Sequence, residues 1–148
     1  MKVAQVTPGL IPIPPNGWGA VEKIIWEYKQ NLDRMGIQTD IKYLNEVIPN
    51  EYDIVHIHMN TKSGVIAWAA KKSGIKHIII HSHADLKFRG SLISKVVGTL
   101  ELLFQKQLMS MSANYFWGCY TNLSIHICSI HIYLPPAMMN SICYFNYI

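Results

Sequence analysis

The first residues of the chain alternate around Val3 and Val6 and predict a short strand from Lys2 to Thr7. A proline-rich loop then leads into a predicted helix, because apolar residues recur there at the spacing of one helical face. The apolar positions of this helix are Val21, Ile24, Ile25, Tyr28, Leu32 and Met35. Gly36 follows where a glycine that caps a helix C-terminus belongs.

The rest of the pattern predicts four more strands and two more helices. Alternation favours a strand over 37–43, and a run dense in β-branched residues favours another over 52–59. A helix around Val65–Lys72 ends at Ser73-Gly74, and the almost wholly apolar run Ile75–Ile80 is typical of a strand covered on both faces. A fifth strand is predicted at 115–119. Between the last two strands lies a long amphipathic helix, marked by Leu92, Ile93, Val96, Val97, Leu100, Leu103, Phe104 and Leu108.

The predicted order is therefore β-α-β-β-α-β-α-β. Elements that mostly alternate imply a parallel sheet with helices on both faces, so the predicted fold class is α/β, a Rossmann-like half-domain. One more strand is conceivable within Ser124–Leu134, where apolar residues alternate with small or polar ones. The residues from Met138 onward have neither a period nor a charge.

Composition narrows the classes of function. The net charge is +4 and the lysines are dispersed, so we expect no nucleic-acid partner. Three cysteines without CxxC spacing indicate neither a disulfide framework nor a zinc module. Without a signal-peptide pattern or an apolar run long enough to span a bilayer, we expect a soluble cytoplasmic protein.

The glycine turn Asn16-Gly17-Trp18-Gly19, just before the first helix, is the first candidate site. Glycines let the backbone approach a ligand closely, and the start of a helix offers free N–H groups to a phosphate. Glu22 stands where a dinucleotide fingerprint needs a third glycine, so the match to such a site is weak. A loop-to-helix turn without a ligand is the alternative.

Two histidine pairs form the second candidate site. His56 and His58 end the third predicted strand, and His81 and His83 end the fourth, with Asp85 nearby. Residues i and i+2 of a strand share a face, so both rings of a pair can enter one crevice. One interpretation is a zinc or iron site with Asp85 as a carboxylate ligand. In the other, one histidine of each pair is hydrogen-bonded in packing and only one faces substrate.

Four segments in order resemble family 4 glycosyltransferases: Gly17-Trp-Gly-Ala-Val-Glu22, Tyr52-Asp-Ile-Val-His-Ile-His58, Ile78-Ile-Ile-His-Ser-His-Ala84 and Ala113-Asn-Tyr-Phe-Trp-Gly-Cys119. The resemblance implies a GT-B enzyme, in which two Rossmann-like domains face each other and a nucleotide-sugar donor gives its sugar to a glycan or another hydroxyl acceptor. Such enzymes need no metal and usually retain the anomeric configuration. This chain would supply residues 1–119 as the N-terminal, acceptor-side half.

The resemblance also implies roles for individual residues. Gly17, Trp18 and Gly19 would approach the donor diphosphate, and His58 would lie on the substrate side. A histidine at the end of the fourth strand would lie beside the reacting sugar, which falls best on His81, with His83 as the second choice. The implied site holds no metal, and the nucleotide sugar is a co-substrate rather than a cofactor.

The chain departs from this family after Cys119. Tyr120 stands where the family usually has serine, and nothing beyond it resembles the donor-binding C-terminal domain. Every charged residue lies between Lys2 and Lys106, so residues 120–148 are expected to be an atypical uncharged tail, frameshifted or disordered. A lone half would be inactive. Two alternatives stay open: a non-catalytic interaction module on the same scaffold, and a histidine-rich metal hydrolase.

Overall fold

The computed structural model describes residues 1–43, 46, 51–59, 62–83, 90–122 and 125–131, with side chains described up to Trp117. Asp85, the carboxylate suggested for a metal site, lies outside these residues. The elements are β1 (Lys2–Thr7), α1 (Ala20–Arg34), β2 (Gln38–Tyr43), β3 (Ile54–Ile57), α2 (Ser63–Lys72), β4 (His77–Ser82), α3 (Leu92–Ser112), β5 (Tyr115–Asn122) and β6 (Ile125–His131). The predicted order is confirmed, and β6 extends it.

The strands form one sheet in the order β2-β1-β3-β4-β5-β6, in which the first five are parallel and β6 is antiparallel to β5. The α/β Rossmann-like fold is thus confirmed. The chain moves from β1 outward to β2, and then from β3 through β4 to β5 in the opposite direction. The strand order therefore reverses between β1 and β3, which is where open α/β sheets bind their ligands, outside the carboxyl ends of the strands.

The sheet continues past Cys119, the position at which the family resemblance ends. β5 runs to Asn122, and β6 pairs with it through Ile125–His131, within the segment where a further strand was conceivable. Residues 120–122 and 125–131 of the predicted tail therefore belong to the sheet. Residues 132–148 lie outside the described part of the chain.

Local signals end the first two helices where the sequence predicts. Gly36 has a φ of 75°, and the N–H groups of Gly36 and Ile37 donate to the carbonyls of Asp33 and Leu32. This is a Schellman motif, which a glycine permits because it can adopt a positive φ. Gly74 ends α2 in the same way, with a φ of 86°.

The two faces of the sheet differ in chemistry. The face under α2 and α3 is apolar and holds the main core, made of Ala4, Val6, Val55, Ile57, Met59, Ile66, Ala67, Ala70, Ile78, Ile80 and their neighbours. The face under α1 alternates with it along each strand and carries Gln5, Thr7, His56, His58 and His81, all buried. Folding therefore places a polar cluster inside the molecule, on one side of the sheet only.

The amphipathic helix predicted from Leu92 onward is confirmed as α3, but its apolar stripe faces solvent. The residues that α3 buries are Gly98, Gln105, Met109 and Ser112. Gln105 lies against Gly64 of α2, and its side-chain oxygen accepts a hydrogen bond from the Val65 N–H at 3.1 Å. Eight large apolar side chains remain more than half exposed on the other side of α3: Leu92, Ile93, Val96, Val97, Leu100, Leu103, Phe104 and Met111.

Candidate functional site: a buried histidine cluster beside a glycine turn

The four predicted histidines come together at the carboxyl ends of β3 and β4. β3 and β4 are neighbours in parallel register, with His56 beside Ile79. Continuing this register places His58 beside His81, and their ring centroids are 5.3 Å apart. The expectation that the two pairs occupy adjacent strand ends is therefore correct, and all four rings lie on the face under α1.

His58 is at the centre of the hydrogen bonds of this cluster. Its Nε2 lies 2.6 Å from Oε1 of Gln5 on β1, and its Nδ1 lies 2.9 Å from Nε2 of His83. An amide oxygen only accepts, so His58 carries its proton on Nε2 and offers the Nδ1 lone pair to the Nε2–H of His83. The lone pair of His83 is then on Nδ1. Gln5, His58 and His83 are thus connected by hydrogen bonds that run from the interior of the sheet to its edge.

Stacking and aromatic contacts hold the other rings. His81 stacks on His83 at a centroid distance of 4.1 Å and on His56 at 5.5 Å, where the planes are 3° from parallel. Trp117 of β5 makes edge contacts with His56 and His81. The ring centroid of Tyr28 on α1 lies within 6.4 Å of those of His56, His58 and His81. The histidines therefore pack as members of an aromatic layer between the sheet and α1.

Burial keeps these imidazoles neutral. His56, His58 and His81 are 4%, 2% and 1% exposed, whereas His83 is half-buried. Desolvation, with the neighbouring imidazoles adding to it, lowers the pKa of His56 to about 3 and that of His58 well below its usual range. Desolvation also lowers the pKa of His81 and His83 to about 4. At neutral pH each ring is therefore both a donor and an acceptor, or a metal ligand.

Nε2 of His56 and Oγ1 of Thr7 are buried polar atoms of this layer without a hydrogen-bond partner among the described residues. A buried polar atom is normally hydrogen-bonded, so such exceptions call for an explanation. In addition, one ring nitrogen from each of His56, His58 and His81 lies within 4.8 Å of the other two, a grouping that could hold a metal ion.

The glycine turn lies at the same edge of the sheet, after β1 and before α1. Gly17 and Gly19 have φ angles of 97° and 132°, and Gly19 is the N-cap of α1 without a side-chain cap. A Cβ on Gly19 would approach the Glu22 carboxylate at 2.9 Å and Pro15 at 3.3 Å, whereas one on Gly17 would meet nothing. Trp18 between them is 86% exposed. The turn is thus an open loop leading into a helix start.

One cavity adjoins this layer of side chains, and a second lies at the opposite edge of the sheet. One of about 260 Å³ lies beneath α1 and is mainly apolar, with His56, Gln5, Tyr28 and Trp117 in its wall. A larger one of about 760 Å³ is lined by Tyr52, Asp53, Lys76 and His77 among others, which lie at or before the amino ends of β3 and β4. Of these two cavities, the smaller one contacts the histidine cluster, through His56.

Sequence reasoning found the four histidines and the glycine turn but missed three of their partners. Gln5 holds His58, and Tyr28 and Trp117 enclose the rings. The signal for Gln5 was present, because a polar residue at an inward position of a short strand calls for a partner. Tyr28 and Trp117 read as ordinary packing residues, and nothing in their spacing sets them apart.

Comparison with known proteins finds no match, whether among protein-family models, curated proteins or solved structures. The resemblance to glycosyltransferases therefore depends on the four segments alone. Among the described residues, no helix combines the length and the apolar character that crossing a bilayer requires.

Proposed function

We propose that this chain is the acceptor-side half of a retaining, nucleotide-sugar-dependent glycosyltransferase. The observation that carries the proposal is a neutral, hydrogen-bonded His58–His83 pair at the carboxyl edge of the sheet, beside the point where the strand order reverses. The glycine turn leads into α1 at the same edge. A sugar diphosphate needs both features, a group for its hydroxyls and a group for its phosphates.

His83 is the histidine best placed to meet the sugar. A neutral imidazole can donate one hydrogen bond and accept another, which suits a sugar hydroxyl. His83 is half-buried and its Nδ1 lone pair is not used by His58, whereas His81 is fully buried beneath it. We therefore assign His83 to the substrate and His81 to the support of His83 through stacking.

The start of α1 supports the phosphate part of the proposal. The first N–H groups of a helix have no partner within the helix and carry a partial positive charge, which favours an anion. Gly17 and Gly19 add no Cβ that would keep a diphosphate away, and Trp18 is exposed between them. Glu22 in the first turn opposes an anion, and we assign it to stabilising the helix start through the helix dipole.

The proposal makes transfer depend on a donor-binding domain supplied by another segment or another chain. The acceptor is a glycan or another hydroxyl compound, with no metal taking part. It also assigns the chain to the cytoplasm, since three cysteines without a disulfide framework fit a reducing compartment.

Binding of nucleotide sugars to the full chain tests the proposal. A panel of uridine- and guanosine-diphosphate hexoses should change the fluorescence of Trp18 with a Kd of about 1 mM or tighter, which corresponds to about −4 kcal/mol. Gly19→Ala should weaken binding, because the methyl group would press on Glu22 and Pro15. His83→Gln should also weaken it, whereas His77→Gln, on the exposed amino end of β4, should not.

No binding by any member of the panel, in a chain whose circular dichroism shows it folded, would rule the proposal out. Equal loss of binding in His83→Gln and His77→Gln would rule out the assignment of His83. If nucleotide sugars do bind, reconstitution with a donor-binding half of this family in trans would test sugar transfer itself.

A second candidate function is an interaction module that binds a second copy of the chain through α3. The eight exposed apolar side chains form a stripe about 140° wide, broader than the stripe of about 100° that a helix usually turns towards a core. They expose on the order of 1,000 Å² of apolar surface, against about 300–600 Å² for the largest patch on a typical monomer. A standard interface buries about 800 Å² per partner, so the stripe suffices for a dimer.

Sedimentation equilibrium of the full chain tests this candidate. We expect a monomer–dimer equilibrium that Leu100→Glu, in the middle of the stripe, shifts to monomer. Thr99→Glu adds the same charge one residue away, outside the stripe, and should leave the dimer intact. A monomer at all concentrations, or equal effects of the two variants, would contradict self-association through α3.

A further inference from the structure

The geometry points to a binding site for one divalent transition-metal ion, of the class that Zn²⁺ and Co²⁺ represent, formed by His56, His58 and His81. This inference goes beyond the proposed function, which requires no metal. It depends on the placement of three ring nitrogens, on the side chain that orients His58, and on a buried ring nitrogen of His56 without a partner among the described residues.

The ring positions suit shared ligation. Zinc binds imidazole nitrogen at about 2.0–2.1 Å, so two rings on one tetrahedral ion have centroids about 5 Å apart. The His58–His81 and His56–His81 centroids are 5.3 and 5.5 Å apart, close to that value. The ring centroids of His56 and His58 are 4.0 Å apart, so these two rings would have to separate by roughly 1 Å to share the ion. The ring nitrogens now lie within 4.8 Å of one another, so rotations of the side chains bring them together over a fixed sheet.

Gln5 orients His58 as a metal-site partner does. Histidine ligands almost always donate their second ring N–H to an oxygen, which fixes the tautomer and aims the other nitrogen. Oε1 of Gln5 accepts from Nε2 of His58 at 2.6 Å, which leaves Nδ1, now facing Nε2 of His83 at 2.9 Å, as the nitrogen that can bind a metal ion. Gln5 would thus be a positioning residue that acts through His58.

The unpaired Nε2 of His56 gives a second, independent indication. The side chain is 4% exposed, and the described residues offer this nitrogen no hydrogen-bond partner. A buried nitrogen with a lone pair gains a partner when a cation is bound beside it.

The ligand chemistry selects the class of metal. Three neutral imidazoles suit Zn²⁺, Co²⁺, Ni²⁺ and Cu²⁺, whereas Mg²⁺ and Ca²⁺ require oxygen ligands. His83 lies at the outer edge with Nε2 at 2.9 Å from Nδ1 of His58. An ion bound by Nδ1 of His58 takes the place of the Nε2–H of His83. If His83 moves its proton to Nδ1, its Nε2 is free to complete four-fold coordination, and if it keeps the proton on Nε2, a water takes the fourth position.

Titration of the chelator-treated full chain with Co²⁺ tests the site, because tetrahedral Co²⁺ absorbs visible light strongly. We expect one Co²⁺ per chain, displaced by one Zn²⁺, and no effect of Mg²⁺. His56→Gln and His81→Gln should each abolish the absorption band. Gln5→Leu should keep the stoichiometry but lower the affinity about 10- to 100-fold, as loss of an orienting partner does. His77→Gln, which lies on β4 outside the cluster, should bind as the wild type does.

The midpoint of thermal unfolding gives a second measurement, which can be made on the wild-type chain even if some variants are insoluble. Saturating Zn²⁺ should raise the midpoint of the wild type, because a ligand that binds only the folded chain stabilises it. Absence of any Co²⁺ band in the folded wild type would overturn the inference, as would a band unchanged in both His56→Gln and His81→Gln. Nucleotide-sugar binding is measured without metal, so the failure of one proposal is distinguishable from the failure of the other.

Discussion

At the scale of single residues, the unusual feature is the number of imidazoles that the chain buries. Buried polar groups are tolerated when they find partners, and His58 finds Gln5 and His83. His56 and His81 are packed among rings, between Tyr28 and Trp117. Neutrality makes this possible, because a charged imidazole in the same layer would lose its hydration without gaining a counter-ion from the residues that the structure describes.

The buried histidines should make the folded chain sensitive to acid. An unfolded histidine has a pKa of about 6.5, whereas burial lowers the pKa of His56 to about 3, so between these two pH values the unfolded chain binds a proton at this residue and the folded chain does not. The stability that depends on neutrality is therefore complete above pH 6.5 and is lost as the pH falls. Each such histidine contributes a slope of about 1.4 kcal/mol per pH unit in this window.

Urea unfolding at several pH values in a metal-free buffer measures this slope. His56→Gln should make the dependence of the unfolding free energy on pH shallower by about 1.4 kcal/mol per pH unit. The exposed His77→Gln serves as the matched control and should leave the slope as it is. A stability that does not fall between pH 6.5 and 5 would show that the cluster is not buried as described.

At the scale of elements, local signals predicted the helix ends and packing decided the rest. Gly36 and Gly74 end α1 and α2 because their positive φ angles are rare in other residues, a property visible in the sequence. The buried face of α3 was not visible, since its apolar stripe predicts the opposite orientation. That face is set by Gly64 and Gln105, two residues far apart in sequence whose fit appears only in three dimensions. In the same way, the sequence indicates that Gln5 needs a partner, but only the folded chain shows that this partner is His58, 53 residues away.

The contact between α2 and α3 depends on the absence of a side chain at Gly64. Alanine is the better helix former by about 1 kcal/mol, so Gly64→Ala in an exposed helix would stabilise the chain. Here a Cβ would collide with the backbone oxygen of Gln105. We expect a net loss of about 1–3 kcal/mol in the free energy of unfolding, as overpacking causes.

Urea denaturation compares Gly64→Ala with Val65→Ala, which alters the neighbouring exposed position of the same helix. The control should change the free energy of unfolding by no more than about 0.5 kcal/mol, as surface substitutions do. A more stable Gly64→Ala variant would mean that α3 does not pack on α2 at this point.

At the scale of the whole molecule, the two faces of the sheet carry different kinds of side chain. The apolar face under α2 and α3 supplies the main core, and the face under α1 holds the histidine layer that both proposals use. The carboxyl edge, where the glycine turn and His83 lie, connects this layer to the outside. β6 extends the same sheet beyond the segment that resembles glycosyltransferases, so the change in composition after Cys119 coincides with no break in the strand.

The pairing of β6 with β5 can be trapped with the chain's own cysteines. In the observed register, Cys119 lies directly opposite Cys128. Opposite residues of antiparallel strands have Cα atoms about 4.5–5.5 Å apart, within the range that a disulfide spans. Mild oxidation of a Cys143→Ser variant should therefore form an intrachain Cys119–Cys128 bond, which peptide mass spectrometry identifies. Adding Cys128→Ser should abolish the bond. If oxidation of the wild type instead joins Cys119 to Cys143, or yields only bonds between chains, β6 does not pair in this register and the folded domain ends nearer residue 119.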